Sequence, residues 1–487
     1  STQDADKISM SEQSQHLKKG LRARHLTMIS LGGTIGTGLF VASGSTIASA
    51  GAGGALLAYA LMGVLVYFMM MSLGEMATYM PTAGSMNTYA ARFVDSSLGF
   101  ALGWNYWYSW ATTLAVELVA AGLVMQFWLP GVPVWVWSLV VLIIVFALNM
   151  ISVRGYGEAE YWFSLIKVLT VIIFIIVGIV VAAGAGQDAP ANFDNYEGSN
   201  AFKKGVAGVF GVFLVAGFSF QGTELVGVAA GESSRPRRDV PRAIRQVFWR
   251  ILLFYVLAIF LIGLLVPNND PRLLNNDGSI SMSPFTITFE RAGIHVASHI
   301  MNAVILTVVL SAGNSSLYAS SRTLYVLAQE GKAPRIFARI NSRGVPFFSL
   351  LMTAVVGSLA FLCSLFGDSV VYNWLLSLSG VSGFISWLGI AISHWRFRRA
   401  YVAQGRSLDD LPYRAALYPF APLFALVLGI VVIIGQGYSA VEGSEEVDVE
   451  KIIMAYIGLP LLAALYLGHK LVKKTKVIPL LEVDLDT

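Results

Sequence analysis

The sequence predicts an all-α integral membrane protein with twelve transmembrane helices. Of its 487 residues, 56% are hydrophobic and only 13% are charged, and the mean hydropathy is +0.67, which is far more apolar than a soluble globular protein. The apolar runs reach about twenty residues or more, long enough for helices to cross a hydrocarbon core about 30 Å thick and too continuous for the alternating strands of a β-barrel. The charged residues are sorted between alternate loops, as in helical membrane proteins.

The hydropathy pattern defines the predicted spans and the two tails. A polar tail, residues 1–27, has no cleavable signal peptide, so the first span itself must direct insertion. A second tail, residues 470–487, follows the last span. The twelve spans lie near residues 28–50, 54–80, 98–128, 133–151, 161–184, 206–230, 247–267, 293–327, 346–366, 371–394, 417–437 and 451–469.

The loop charges predict the orientation. Basic residues concentrate in the N-terminal tail, in every second loop and in the C-terminal tail, for example at Lys18, Arg237, Arg335, Arg398 and Lys473. These segments are predicted to face the cytoplasm, which places both termini there. The opposite loops are acidic, with Asp188, Asp194, Glu197, Asp270, Asp277, Glu442, Glu445, Glu446, Asp448 and Glu450. Topology therefore explains the net charge of +4, and we predict no nucleic-acid partner.

Glycine and hydroxyl residues interrupt two of the spans, at residues 32–40 in span one and 217–224 in span six. Glycine costs a helix interior about 1 kcal/mol relative to alanine, and unwound backbone at membrane depth is tolerated where it lines a cavity or is buried in protein. The two breaks fall in the first helix of each of two five-helix units, residues 28–184 and 206–394. Because each unit has an odd number of helices, the two units have opposite orientations in the membrane. The pattern is typical of a secondary transporter with a substrate site near the midplane. Spans eleven and twelve, within residues 417–469, are predicted to be scaffold or a dimer interface.

Broken helices offer partners for a zwitterion. Amides freed at the start of a half-helix attract a carboxylate, and carbonyls freed at the end of one attract an ammonium. We predict that the amides of Gly36, Thr37 and Gly38 hold an α-carboxylate. The carbonyls of Thr34 and of the region around Phe218 and Gln221 would take the α-amine. The alternative is that these glycines only permit close helix packing.

Several motifs carry a family resemblance. The segments 32–40, 74–84, 218–224 and 231–243 resemble the amino acid–polyamine–organocation superfamily, and the segments 103–108, 152–162 and 245–250 resemble its branch of bacterial lysine permeases. The resemblance covers the chain from about residue 21 to residue 474. It implies ten helices in an inverted repeat plus two more, residence in the bacterial inner membrane, and uptake of lysine driven by the proton gradient.

Ionisable residues inside spans are functional candidates, because each costs several kcal/mol unless it is paired or hydrated. The predicted spans contain four such candidates: Glu75, Glu117, Lys167 and Glu224. Lys167 lies among apolar residues of span five and is predicted to carry the coupling proton, with Ser315 and Ser316 of span eight as neighbours. The resemblance places a lysine at this position in proton-coupled relatives. Glu75, near the end of span two, is predicted to be structural or to act in gating.

A cationic substrate side chain needs a carboxylate or an aromatic face. Glu224 follows the break in span six and Glu117 lies in span three, and the sequence leaves open which of them recognises the ammonium group. Tyr106 and Trp110 are four residues apart on one helix face and are predicted to stack on the substrate by cation–π contact. The resemblance makes Phe218 an aromatic gate over the bound amino acid.

The predicted function is import of L-lysine with a proton through a bilayer by alternating access. A broader cationic amino acid permease or an exchanger is the alternative within transport. A lysine sensor is an alternative outside it, with a regulatory membrane partner at the acidic outer loops around residues 270–277 and 442–450. The sequence shows no nucleophile–base pair and no metal-ligand cluster, and Cys363 is the single cysteine, so we predict neither an enzyme nor a cofactor or metal site.

Overall fold

The structure is a computed structural model, and it describes residue 28 and residues 35–82, 84–151, 153–184, 191–231, 233, 235–273, 283–294, 296–441 and 449–486. The predicted N-terminal tail, the site residue Thr34 and most of the acidic outer-loop residues, namely Asp188, Asp277, Glu442, Glu445, Glu446 and Asp448, lie outside the described residues.

The regular elements of the described chain are helices, which we number in order. They are α1 (Ser43–Tyr79), α2 (Ser85–Phe93), α3 (Ser96–Met125), α4 (Val134–Ile151), α5 (Val153–Ala182), α6 (Gly198–Ala201), α7 (Gly205–Phe220), α8 (Leu225–Ala230), α9 (Pro236–Arg250), α10 (Ala258–Leu265), α11 (Pro284–Arg291), α12 (Ala297–Gln329), α13 (Phe347–Gly357), α14 (Cys363–Phe366), α15 (Asp368–Ala403), α16 (Phe420–Val441), α17 (Val449–Tyr456) and α18 (Gly458–Lys473). A π-helical turn, Gly38–Ala42, leads into α1, and another, Ile251–Leu257, joins α9 to α10.

Eleven helical stretches of the described chain are long and apolar enough to cross a membrane. They run over Gly38–Tyr79, Ser96–Met125, Val134–Ile151, Gly155–Ala182, Gly198–Val228, Pro236–Leu265, Ala297–Gln329, Phe347–Phe366, Asp368–Ala403, Phe420–Tyr438 and Ile452–Lys473. The prediction of an all-α, multi-pass membrane protein is therefore confirmed.

The first of these stretches covers the second half of predicted span one and nearly all of predicted span two. Its 42 residues would extend about 63 Å as one helix, about twice the thickness of a hydrocarbon core. It is interrupted at Gly51, where φ is 80° and ψ is 171°. A Cβ atom there would lie 2.3 Å from the carbonyl oxygen of Asn200, so both the conformation and the space require glycine.

Helix α5 shows how the sequence turns one polar face inward. Glu160, Ser164, Lys167, Val171 and Phe174 are all fully buried. They recur every three or four residues and so lie on one face of the helix, which packs against α12. The other faces carry exposed apolar side chains suited to lipid contact, at Trp162, Ile166, Leu169, Ile172, Ile173 and Ile176.

The π-helical turn before α1 and helix α7 approach closely where both carry small residues. A Cβ atom on Gly38 would lie 2.6 Å from Cα of Ser219, so only glycine permits this contact. Helix α7 ends at Phe220, residues 221–224 form turns, and α8 begins at Leu225. The break is shorter than the predicted 217–224, because Gly217 is still helical and packs against the ring of Phe384.

Candidate substrate site and buried charges

The two interrupted helices meet at a small central cavity of about 30 Å³, which gives room for about one water molecule. The cavity is lined by Gly36, Gly38, Trp110, Thr113, Glu117, Phe218, Gln221, Ala312, Ser315 and Ser316. Most of the residues that the sequence assigned to substrate binding thus lie together. A ligand larger than water would enter this space only if the surrounding helices moved apart.

The first break faces Glu117 of α3. Gly36 is not helical, and a Cβ atom there would lie 3.4 Å from Oε1 of Glu117. The Thr37 hydroxyl donates a hydrogen bond of 3.0 Å to the same oxygen. Gly36 and Thr37 therefore sit beside a carboxylate, whereas Gly38 is explained by its packing against Ser219.

The Glu117 carboxylate lines this cavity and has one oxygen that accepts no hydrogen bond from the described residues. Its side chain is only 2% exposed, and Oε2 has no hydrogen-bond partner among the described residues. A buried carboxylate oxygen without a partner is costly. It can accept a hydrogen bond from an ammonium group placed in the cavity.

The second break is held against α15. The side-chain amide of Gln221 donates to the carbonyl oxygens of Ser379 at 2.9 Å and Gly380 at 3.3 Å. The Ser379 hydroxyl donates back to Oε1 of Gln221 at 3.2 Å. The Gln221 side chain thus fixes the unwound segment, while Phe218 contributes an aromatic wall to the cavity.

Glu224 does not lie with the residues that line the cavity. Its carboxylate accepts hydrogen bonds from the Trp387 indole at 3.2 Å and from the amide of Gly222 at 3.2 Å. Its charge also interacts with buried Arg250, which donates to the Thr223 hydroxyl at 2.5 Å. These contacts favour a structural role at the break over recognition of a substrate side chain.

Tyr106 and Trp110 form one aromatic pair, with ring centroids 6.0 Å apart and planes at 85°. Trp110 lines the cavity, and Tyr106 is buried one turn away with a hydroxyl that has no hydrogen-bond partner in the described part of the chain. The predicted shared face is therefore present. Ser316 also lines the cavity, although its hydroxyl donates to the carbonyl oxygen of Ala312 at 2.7 Å.

Lys167 is fully buried on the inward face of α5. Its ammonium nitrogen has no hydrogen-bond partner among the described residues. The predicted neighbour Ser315 instead pairs with the Tyr156 hydroxyl at 3.2 Å. The acidic side chains whose charges act on Lys167 are Glu160 and Glu117.

Glu160 is a buried ionisable residue that the sequence reasoning missed. Predicted span five began at residue 161, whereas α5 begins eight residues earlier at Val153. The Ser311 hydroxyl and the Asn314 amide of α12 donate to its two oxygens, at 2.8 Å and 2.9 Å. The signal was the spacing of seven residues from Lys167, which puts both on one helix face.

Glu75 belongs to a second buried cluster, at the end of α1. Arg398 of α15 pairs with both of its carboxylate oxygens, one of them at 2.6 Å. The amide of Ala415 donates to it at 2.6 Å, and Nε2 of His394 lies 3.2 Å away. Arg398 was predicted to lie in a cytoplasmic loop, but α15 extends past it to Ala403 and buries it.

Comparisons with known proteins agree with this architecture. A family model described as amino acid permease matches residues 25–481. The lysine-specific permease LysP of Escherichia coli strain K12 is 57% identical over 94% of this chain and 94% of its own length. The lysine-specific permease LysP of Lactococcus lactis is 51% identical over 96% of this chain and 93% of its own. The histidine permease HisP of Lactococcus lactis is 48% identical over 97% and 99%.

Proposed function

Because the chain belongs to the amino acid permease family, a family of transporters rather than enzymes, we propose that it imports L-lysine by symport with protons. Two lysine-specific permeases among its relatives support lysine as the substrate. A histidine permease at 48% identity supports the alternative, a broader cationic amino acid permease or an exchanger.

The proposed architecture has twelve crossings of a bacterial inner membrane with both termini in the cytoplasm. Residues 28–184 and 206–394 form two inverted five-helix repeats, and α16 to α18 lie outside them. The support is the alternation of basic and acidic loops and the interruption at Gly51 within the 42-residue stretch, where a division into two crossings would fall. Rocking of one repeat against the other would expose the central cavity to each side in turn.

The proposed substrate site uses the backbone of both breaks and one carboxylate. The amides around Gly36 and Thr37 hold the α-carboxylate, and Oε2 of Glu117 accepts a hydrogen bond from an ammonium group of lysine. Phe218 and Trp110 enclose the aliphatic stem. The support is that Gly36, Trp110, Glu117 and Phe218 line one cavity. Thr37 adjoins it through its hydrogen bond to Glu117, and Oε2 of Glu117 has no partner among the described residues.

The observation that carries proton coupling is the burial of Lys167 without a hydrogen-bond partner in the described chain. Gain or loss of one proton there changes the charge of a buried nitrogen that no hydrogen bond from the described residues compensates. The two protonation states therefore favour different packing of α5 against its neighbours. Glu117 and Glu160 both interact with the charge of Lys167. Glu117 lines the proposed substrate cavity, and Glu160 accepts hydrogen bonds from α12.

The test is uptake of radiolabelled lysine into proteoliposomes with an imposed inward proton gradient. We expect accumulation that an uncoupler abolishes and that excess unlabelled lysine blocks more strongly than histidine or leucine. Lys167→Met, which keeps the side-chain length but not the charge, should abolish gradient-driven accumulation. Lys473→Met, at an exposed position, is the matched control and should transport normally.

Three outcomes contradict parts of the proposal. Uptake that ignores the gradient and requires internal amino acid would identify an exchanger. Equal inhibition by histidine and lysine would overturn lysine specificity. Full gradient-driven uptake by Lys167→Met would remove this residue from the coupling mechanism.

A further inference from the structure

A second, larger cavity of about 520 Å³ lies apart from the central one. Its walls come from α7, α15, α16 and α17, with one residue from α1. Leu214 and Val215 supply part of an apolar wall, and Trp374, Ser377 and Glu450 supply polar groups. The volume is within the range of small-molecule pockets.

The position of this cavity relates it to the substrate route. Gly211, Leu214 and Val215 of α7 line it, and Phe218 of the same helix lines the central cavity. These residues are spaced by three or four and therefore share one helix face. The large cavity thus begins roughly 5 to 10 Å along α7 from Phe218, toward the N-terminal end of the helix. In the proposed topology that end faces the outside.

The lining chemistry suits an alkylammonium group. The Trp374 indole donates a hydrogen bond of 2.5 Å to Oε1 of Glu450, so an aromatic ring and a carboxylate lie side by side. A carboxylate pairs with an ammonium, and an indole face adds a cation–π contact of about 0.5–2 kcal/mol. The described lining contains no Lys or Arg that would repel a cation. Apolar residues such as Leu214 can cover an aliphatic stem.

We propose that this cavity is an outer recruitment site for alkylammonium groups, in which Glu450 and Trp374 hold the cationic side chain of the substrate before it passes Phe218. The inference rests on the proposed function in one respect, that the substrate is a cationic amino acid. The site raises the local concentration of substrate on the outer side of the central cavity. Loss of Glu450 should therefore weaken capture of substrate and leave the later steps of transport unchanged.

Binding can be tested without transport by ¹⁹F NMR of the full chain in nanodiscs, labelled with 5-fluorotryptophan. Trp374→Phe identifies the Trp374 resonance. Pentylamine is the probe, because it carries an ammonium and a stem but no carboxylate for the central site. We expect a saturable shift of this resonance, weakened about tenfold in Glu450→Gln and unchanged in Glu197→Gln, an exposed control in another loop. Pentanol, the neutral probe of similar size, should leave the resonance unshifted.

Uptake kinetics give the second readout. Glu450→Gln should raise KM for lysine about fivefold and leave kcat unchanged, whereas Glu197→Gln should change neither. A Trp374 resonance that ignores pentylamine, or that pentanol shifts equally, would overturn the recruitment site. If the resonance responds as expected but the protein transports no lysine, the proposed function fails while the alkylammonium site stands.

Discussion

Two of the clusters of buried charge in the described part of the chain differ in how fully their carboxylate and ammonium groups are paired. In the first cluster, at the end of α1, the Glu75 carboxylate has partners on both oxygens from Arg398, Ala415 and His394. In the second, between α3, α5 and α12, the Lys167 nitrogen and Oε2 of Glu117 have no hydrogen-bond partner in the described chain.

The difference separates a structural role from a transport role. A buried carboxylate with hydrogen bonds to both of its oxygens joins the elements that carry its partners, here α1, α15 and the segment before α16, and resists changes of charge. A buried charge without hydrogen bonds is costly to keep. Such a cost is expected where a proton or a substrate completes the site during part of the cycle. We therefore propose a stabilising role for the Glu75 cluster and a transport role for the Lys167 network.

The largest expected effect is on stability, from Arg398→Met. This change leaves the Glu75 carboxylate buried with its main cationic partner removed, and breaking one side of a buried pair costs about 3–5 kcal/mol. We expect a large fall in the melting temperature of the purified protein and a low yield of monodisperse material. The fraction that folds should still transport lysine when uptake is normalised to folded protein.

The double variant Glu75→Gln with Arg398→Met tests this interpretation, because it removes both charges. Its melting temperature should lie above that of Arg398→Met alone, since no unpaired carboxylate remains. If Arg398→Met folds as stably as the wild type but loses transport, the contrast between the two clusters is wrong and the Glu75 cluster is part of the transport mechanism.

A smaller loss of stability and a larger change of function are expected from Glu160→Gln. The amide retains most of the shape and can keep a hydrogen bond to Ser311 or Asn314, so we expect a stability loss of about 1–3 kcal/mol. Removal of the negative charge makes protonated Lys167 less favourable. The pH profile of proton-driven uptake should therefore move toward more acidic values.

The control for this change is Glu482→Gln, at an exposed position near the C-terminus, which should leave both stability and the pH profile unchanged. If the Glu160→Gln profile overlays that of the wild type, Glu160 only anchors α5 to α12. It would then have a structural role like that of the Glu75 cluster, and the proposed transport network would consist of Lys167 and Glu117.

The sequence predicted the second cluster better than the first for a physical reason. Glu117 and Lys167 interrupt long apolar runs, so each is visible as an expensive exception. Glu160 and Arg398 lie where a span merges with a polar loop, and hydropathy alone does not show that the helix continues past them. Their burial depends on which face of a longer helix packs inward.

The central site was predictable because glycine and hydroxyl clusters mark unwound backbone in both halves. Gly36, Thr37, Phe218 and Gln221 were found in this way, and all but Thr37 line the cavity. The direction of a side chain was not predictable. Glu224 follows the second break in the chain, yet its contacts with Trp387 and Gly222 hold it beside the cavity, because the turn at residues 221–224 sets its orientation.

The smallest expected effect comes from the ion pair of Asp95 and Lys470 at the edge of the bundle. It is less buried than the Glu75 cluster, because Lys470 is partly exposed, and, unlike Lys167, both of its members are hydrogen-bonded. Asp95 caps α3, accepting from the amide of Ser97 at 2.9 Å and from Nζ of Lys470 at 2.7 Å. Burial acts to raise the pKa of Asp95, but the hydrogen bonds from Lys470 and Ser97 prevail and hold it below its ordinary value.

Asp95→Asn should therefore lower the free energy of unfolding by about 1 kcal/mol or less, because asparagine still caps the helix and only the partly exposed ion pair is lost. The aspartate contribution is present above the ordinary pKa of about 3.9 and is lost as the pH falls through the lower folded-state pKa. Melting temperatures of wild type and variant should differ slightly at pH 7 and converge in acid, with lysine uptake equal in both. A difference that persists in acid would show that Asp95 acts through packing, and a loss of uptake would extend the transport network to this edge of the bundle.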